Sequence, residues 1–307
     1  MSATEARVAE LFEVTKQWGR WGDDDERGAL NLLTRERVAR ASALVQDGET
    51  VSCGRRLPVA PAVDNPTPAQ HHMLLAGDMA GQRPGLQAAA DFIGVSFHGM
   101  AVSHIDALSH VFANGQMYNG RPATEVTSVG ARRCSIEVAG NGIVGRGVLL
   151  DVPRHRGVEW LDPGEGITPD ELDAVCDSQG VTVESGDILL VGTGRDARRE
   201  RHGPWEPNTV GLAGLDAECI TWLHARDIAV LGSDGVSDVL PALEHQWPMP
   251  VHICLLVGMG VHLLDNLRLD LLASACASRG RWEFLLTIAP LQIGGGTGSP
   301  VNPIAIF

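Results

Sequence analysis

The run Ser103-His104-Ile105-Asp106-Ala107-Leu108-Ser109-His110 sets two imidazoles and a carboxylate at H-x-D-x-x-x-H spacing inside otherwise apolar sequence. A single histidine in such a run is usually a core residue whose ring nitrogens find partners. An aspartate two residues away demands more, because a buried carboxylate without a partner is costly. The flanking sequence predicts a strand over residues 92–106. Period-two alternation then puts His98, Met100, Val102, His104 and Asp106 on one face. His104 and Asp106 project side by side, as a divalent ion requires, and His110 lies just past the strand end, within reach of a metal-bound water. The cluster points to metal-assisted hydrolysis.

Composition narrows the partners. A formal charge of −14 argues against nucleic acid and against an anionic membrane surface, since both are met with Lys and Arg. No apolar run approaches the 18 or so residues of a membrane span. The start Met1-Ser2-Ala3-Thr4-Glu5 lacks a basic segment followed by an apolar one, so a cytoplasmic location is expected. The six cysteines are widely scattered with no C-x-x-C pair, which excludes a zinc ribbon or a thioredoxin-like motif and leaves them as small buried hydrophobes.

Helices are expected over 5–17, 34–46, 168–180, 215–226 and 267–279. Thr168-Pro169-Asp170-Glu171 supplies an N-cap, a proline at the first helical position and acids in the first turn. Strands are expected near 50–58, 92–106, 133–139, 147–151, 188–191, 228–232 and 284–289, with 251–257 a further apolar segment. Gly294-Gly295-Gly296-Thr297-Gly298 reads as a turn before a final strand. No repeat or linker divides the chain. The fold class is α/β, a single domain with a mixed β-sheet flanked by helices. Residues 1–50 form an N-terminal helical arm packing on the main domain or a neighbouring subunit, and 51–307 form the main domain.

Other chemistry is thinner. Gly192-Thr193-Gly194 lacks the rest of a phosphate loop, and no G-x-S-x-G elbow supports a serine nucleophile. Asp234, Asp238, Glu244, His245, His252, His262 and Asp265 are downstream candidates, and His252 and Asp265 sit in apolar runs as Asp106 does. Arg195, Arg198, Arg199 and Arg201 form a basic cluster that reads either as a solvated loop or as recognition of a substrate carboxylate. The tryptophans, Trp21 and Trp205 among them, either line an aromatic pocket or pack the core.

Four stretches together resemble the metal-dependent cyclase family, the group of bacterial kynurenine formamidases and isatin hydrolases, in its longer branch. Trp18-Gly19-Arg20-Trp21-Gly22-Asp23-Asp24-Asp25-Glu26-Arg27-Gly28-Ala29-Leu30-Asn31 resembles its W-G-x-x-D-E-x-G-x-L-N entry segment. Ser103–His110 with Tyr118-Asn119-Gly120 is similar to its H-x-G-T-H-x-D-x-x-x-H signature and Y-N-G follow-on. Gly186–Gly194 resembles its G-D-x-L-L-x-x-T-G strand, and His252 with Leu264-Asp265-Asn266-Leu267 falls where the family has a His and Glu-Asn-Leu.

The resemblance implies one Zn²⁺ or Mn²⁺ ion, held by His104 and Asp106 with His252 and Asp265 as ligands or close neighbours, and His110 as general base. It implies hydrolysis of an amide, imide or lactone bond in a small, cyclic or aromatic molecule by attack of metal-bound water. It also implies a homodimer or homotetramer, with Trp21, Trp205 and Tyr118 as substrate contacts. A catalytically dead ligand-binding relative and a ring-forming cyclase or dehydratase are the rival readings. Two departures stand out. Met100 occupies the place of the family's first His, and a thioether is a poor ligand for hard ions. His98 shares the predicted strand face, about 6–7 Å further along, as the substitute. Asp265 replaces Glu, one residue further from His252 than in the family pattern.

Overall fold

The computed structural model describes residues 3–78, 85, 87–241 and 247–307. Among these, nine strands form one sheet: β1 (Thr50–Ser52), β2 (His104–Asp106), β3 (Ile143–Asp151), β4 (Ile188–Gly192), β5 (Val230–Ser233), β6 (His262–Asp265), β7 (Glu283–Ile288), β8 (Gly298–Pro300) and β9 (Ile304–Ile306). Their spatial order is β1-β9-β7-β3-β4-β5-β6-β2-β8. The central pairs β3–β4, β4–β5 and β5–β6 are parallel, and the flanking pairs are antiparallel. This is the expected α/β domain with a mixed sheet. The apolar run of β4 is buried throughout, as a parallel strand covered on both faces must be.

Among the helices are α1 (Ala3–Thr15), α2 (Arg35–Ser42), α3 (Pro169–Gln179), α4 (Arg195–His202), α5 (Cys219–Arg226), α6 (Pro250–His252) and α7 (Asp270–Arg279), with further short helical segments, Val152–Arg156 and Pro207–Val210 among them, in between. Thr168 caps α3 by accepting from the Glu171 backbone N–H, and Gly180 closes it in the left-handed region. Val8, Leu11 and Phe12 of α1 lie in the same core as the sheet. No described helix is long and apolar enough to cross a membrane.

Several boundaries differ from the sequence expectations. The expected strand 92–106 is two separate pieces. Ala90–Gly94 pairs with Gln70–Leu75 in a side hairpin, a loop follows, and β2 keeps only three residues. The reason lies in Gly99, whose φ of 147° breaks the extended run. Carbonyls at 99, 100 and 102 then bond to side chains instead of to a neighbouring strand. Residues 133–139 hold a short 3₁₀ turn, Ile136–Ala139, because Cys134 adopts a left-handed φ of 54°. The segment 251–257 continues α6 as a π-helix, Ile253–Met259. The arginine cluster lies on α4, not in a loop.

Candidate metal centre

β2 and β6 are antiparallel neighbours with His104 directly opposite Asp265, so two distant segments deliver an imidazole and a carboxylate to one point. Asp106 is the hub. His98 Nδ1 stands 2.9 Å, His104 Nε2 3.4 Å and His110 Nε2 3.9 Å from its Oδ1, and His252 Nε2 lies 3.8 Å from its Oδ2. His252 Nε2 is also 3.2 Å from Asp265 Oδ2. Two groups, His98–Asp106–His110 and His104–Asp106–Asp265, each bring ligand atoms within 4.8 Å of one another.

Each ring is oriented from behind. His104 Nδ1 donates to the Val102 carbonyl at 2.8 Å, which leaves Nε2 facing Asp106. His252 Nδ1 lies 2.6 Å from Asp238 Oδ2, and Asp238 also accepts from the backbone N–H groups of Val251 and His252. This carboxylate–imidazole pairing fixes a tautomer as it does at metal sites. His98 Nε2 meets Thr297 Oγ1 at 3.1 Å, and its ring stacks on His110 at 3.7 Å. Gly298 makes the space for it. A Cβ there would lie 2.9 Å from His98 Cε1 and 2.5 Å from the Ile105 carbonyl oxygen.

The residues fit a cation. Both carboxylate oxygens of Asp106 are buried without a hydrogen-bond partner, as are Asp265 Oδ1 and His98 Nδ1. A cluster of this kind left without a cation must hold protons instead. Burial opposes a charged His104, yet Asp106 and Asp265 push its imidazole up to about 9. Burial likewise opposes charge on His252, which Asp265 and Asp238 raise well above the usual range. Burial would raise the Asp106 carboxyl, but His104 and His98 hold it well below the usual range. His110 differs: burial takes it down to about 4, only partly offset by Asp106. At neutral pH it is an uncharged ring, 30% exposed, with a lone pair to offer.

Met100 turns away from this point. Its side chain packs against the apolar cluster of Leu212, Val236 and Leu240, and His98 enters the centre from the adjacent loop. The regular strand spacing that set His98 about 6–7 Å beyond Met100 is absent, because the strand holds only His104–Asp106. Beside His98 opens a cleft of about 230 Å³ bordered by Val63, Asn65, Phe97, Met100, Glu206 and Asn208. Trp205 packs against the same apolar cluster and donates from Nε1 to the Gly211 carbonyl. Tyr118 is fully buried and donates to Asp25, and its ring closes on Gly260. Trp21 carries Arg20 on its face and packs against the core. Asp234 caps α4 by accepting from the backbone of Thr193, Gly194 and Arg195. His262 is buried on β6 with neither ring nitrogen hydrogen-bonded. Glu244 and His245 lie outside the described residues. Asp238 was one carboxylate among many in the sequence; only its contact with His252 marks it.

Comparison with known proteins agrees with this architecture. The cyclase family model matches residues 52–238. A solved structure of a novel cyclase shares 33% identity over 95% of this chain and 99% of its own, with a TM-score of 0.86. Isatin hydrolase A from Labrenzia aggregata shares the fold at 23% identity, covering 86% of this chain and 94% of its own, TM-score 0.61. A structure from Bacillus stearothermophilus described as a predicted metal-dependent hydrolase shares it at 16% identity, covering 85% and 98%, TM-score 0.51. No curated protein matches the sequence. Since the family model spans well over half of the chain and the cyclase structure overlays almost all of it, the protein belongs to the cyclase family.

Proposed function

We propose that this protein is a metal-dependent hydrolase of an amide, imide or lactone bond in a small molecule. The observation that carries the reading is Asp106, whose two buried oxygens lack hydrogen bonds while four imidazoles converge on them. The shared fold of isatin hydrolase and of the predicted metal-dependent hydrolase supports it.

His98, His104 and Asp106 would hold one Zn²⁺ or Mn²⁺, with His252 and Asp265 closing the inner side. N and O donors alone do not choose between the two ions. When bound, the ion acidifies water and polarises a carbonyl. His110 Nε2 takes the proton from the attacking water and returns it to the leaving nitrogen or oxygen. Its uncharged state at neutral pH suits the first of those transfers. Asp238 holds His252 in the tautomer that presents Nε2 to the centre. Phe97, Met100 and Val63 offer an apolar wall to the substrate.

The Met100 departure favours a non-catalytic relative only if nothing replaces the missing ligand, and His98 stands in that place. Ring closure uses the same residues in reverse, so a product assay separates it. The test is elemental mass spectrometry of purified protein, before and after chelation, with hydrolysis of isatin and N-formylkynurenine followed in parallel. About one zinc or manganese per chain, lost and regained together with hydrolysis, is expected. A metal-free protein that hydrolyses equally well would refute the reading.

A further inference from the structure

The loop carrying His98 has no strand beside it, so its buried carbonyls need other donors. Two side chains supply them. Asn266 Nδ2 donates to the Gly99 carbonyl at 2.7 Å and to the Val102 carbonyl at 3.3 Å. Arg195 Nη2 donates to the Met100 carbonyl at 2.6 Å. The two are locked together, because Arg195 Nη1 donates to Asn266 Oδ1 at 2.6 Å and to the Asp234 carbonyl at 3.3 Å. Ser103 closes the far end by donating from Oγ to the Asn266 carbonyl at 2.6 Å.

We propose that Arg195 and Asn266 are positioning residues that clamp residues 98–103 and thereby set His98 Nδ1 against Asp106. The proposal rests on the metal-centre reading and adds how the chain manages without a ligand at position 100. His98 itself touches the centre through one flexible side chain, Thr297 and a stacked ring. The backbone that aims it is fixed by three carbonyls: those of Gly99 and Met100 end on this amide–guanidinium pair, and that of Val102 is shared between Asn266 and His104 Nδ1. Arg195 is 3% exposed, which removes it from any direct role in holding a substrate carboxylate. Its backbone N–H and that of Gly194 are anchored by Asp234, so the guanidinium projects from a rigid helix start. Asn266 sits at a φ of 54°, a left-handed conformation that asparagine tolerates and glycine adopts freely. A lysine at 195 keeps the charge but lacks the planar fork that spans Met100 and Asn266 at once.

The test is Zn²⁺ affinity of the chelator-stripped full chain, measured by competition with a chromophoric chelator, in two backgrounds. In the wild-type background Arg195→Lys and Asn266→Gly each weaken binding by about 10–100-fold, the usual range for groups that orient a ligand. In the His98→Ala background the same substitutions change binding by less than about threefold, because the residue they aim is gone. Equal losses in both backgrounds mean a general structural role and overturn the proposal, as does wild-type affinity in all variants. If Arg195→Lys fails to fold by circular dichroism, Asn266→Gly decides, since glycine suits that backbone. Wild type that binds no metal refutes the metal-centre reading and the clamp with it. Wild type that binds, without His98-dependent coupling, refutes the clamp alone.

Discussion

Replacing Asp106 by asparagine should destabilise the metal-free protein and abolish the further stabilisation that metal brings. The side chain is 1% exposed, and neither oxygen accepts a hydrogen bond. Without a cation its charge is balanced by protons on His104 and His252, all of them out of water. Removing one member of such a buried charge cluster commonly costs about 3–5 kcal/mol, because the partner charges are left uncompensated. In EDTA the variant should therefore melt below the wild-type temperature. Saturating metal at about 1,000 times Kd stabilises the wild type by roughly 4 kcal/mol. For 307 residues at about 2.1 cal/mol/K each, that is a rise of about 6 °C. The variant, having lost the hub ligand, should show almost no rise. Differential scanning calorimetry with EDTA and with Zn²⁺ reads both halves. An equal metal-induced rise in Asp106→Asn would refute the role of this carboxylate. A variant as stable as wild type in EDTA would refute the claim that this carboxylate compensates the imidazolium charge around it.

Three further outcomes follow from the same geometry. His110→Ala should cost about 10²–10⁴-fold in turnover while elemental analysis still finds the metal; its loss would make His110 a ligand. Met100→His should not raise Zn²⁺ affinity in chelator competition, because that side chain packs against Leu212, Val236 and Leu240 while His98 already stands at Asp106. Burial lifts the Asp187 carboxyl from 3.8 to about 6 despite Arg146. The folded protein thus holds that proton more tightly than the unfolded chain does. The stability it contributes is full below pH 3.8 and is lost as pH rises through about 6, a slope that Asp187→Asn should flatten in denaturation curves.

Much of the architecture is legible in local sequence because it depends on local chemistry. The uninterrupted apolar run at 188–191 dictates a doubly covered strand. Thr168-Pro169 with Gly180 dictates where α3 begins and ends. The polar residues embedded in apolar runs, His104, Asp106, His252 and Asp265, mark themselves because burying them demands partners. What local sequence does not encode is which partners they meet. The antiparallel pairing of β2 with β6 sets His104 against Asp265 across a separation of more than 150 residues, and no periodicity contains that information.

The 98–103 loop shows the division most clearly. Read alone, the stretch from 92 to 106 is a strand, with His98 on the face of the missing ligand but about 6–7 Å beyond Met100. The tertiary fold brings Asn266 and Arg195 to its carbonyls, and side-chain hydrogen bonds replace the ladder that a strand requires. The sequence by itself determined the α/β class, the cap positions and the identity of the groups able to hold a cation, since these rest on period, propensity and the cost of burial. Only the tertiary structure decided that His98 reaches Asp106 from a loop, that Met100 packs against Leu212, Val236 and Leu240, and that Asp238 orients His252. Those outcomes depend on long-range donors competing for the same backbone and side-chain atoms.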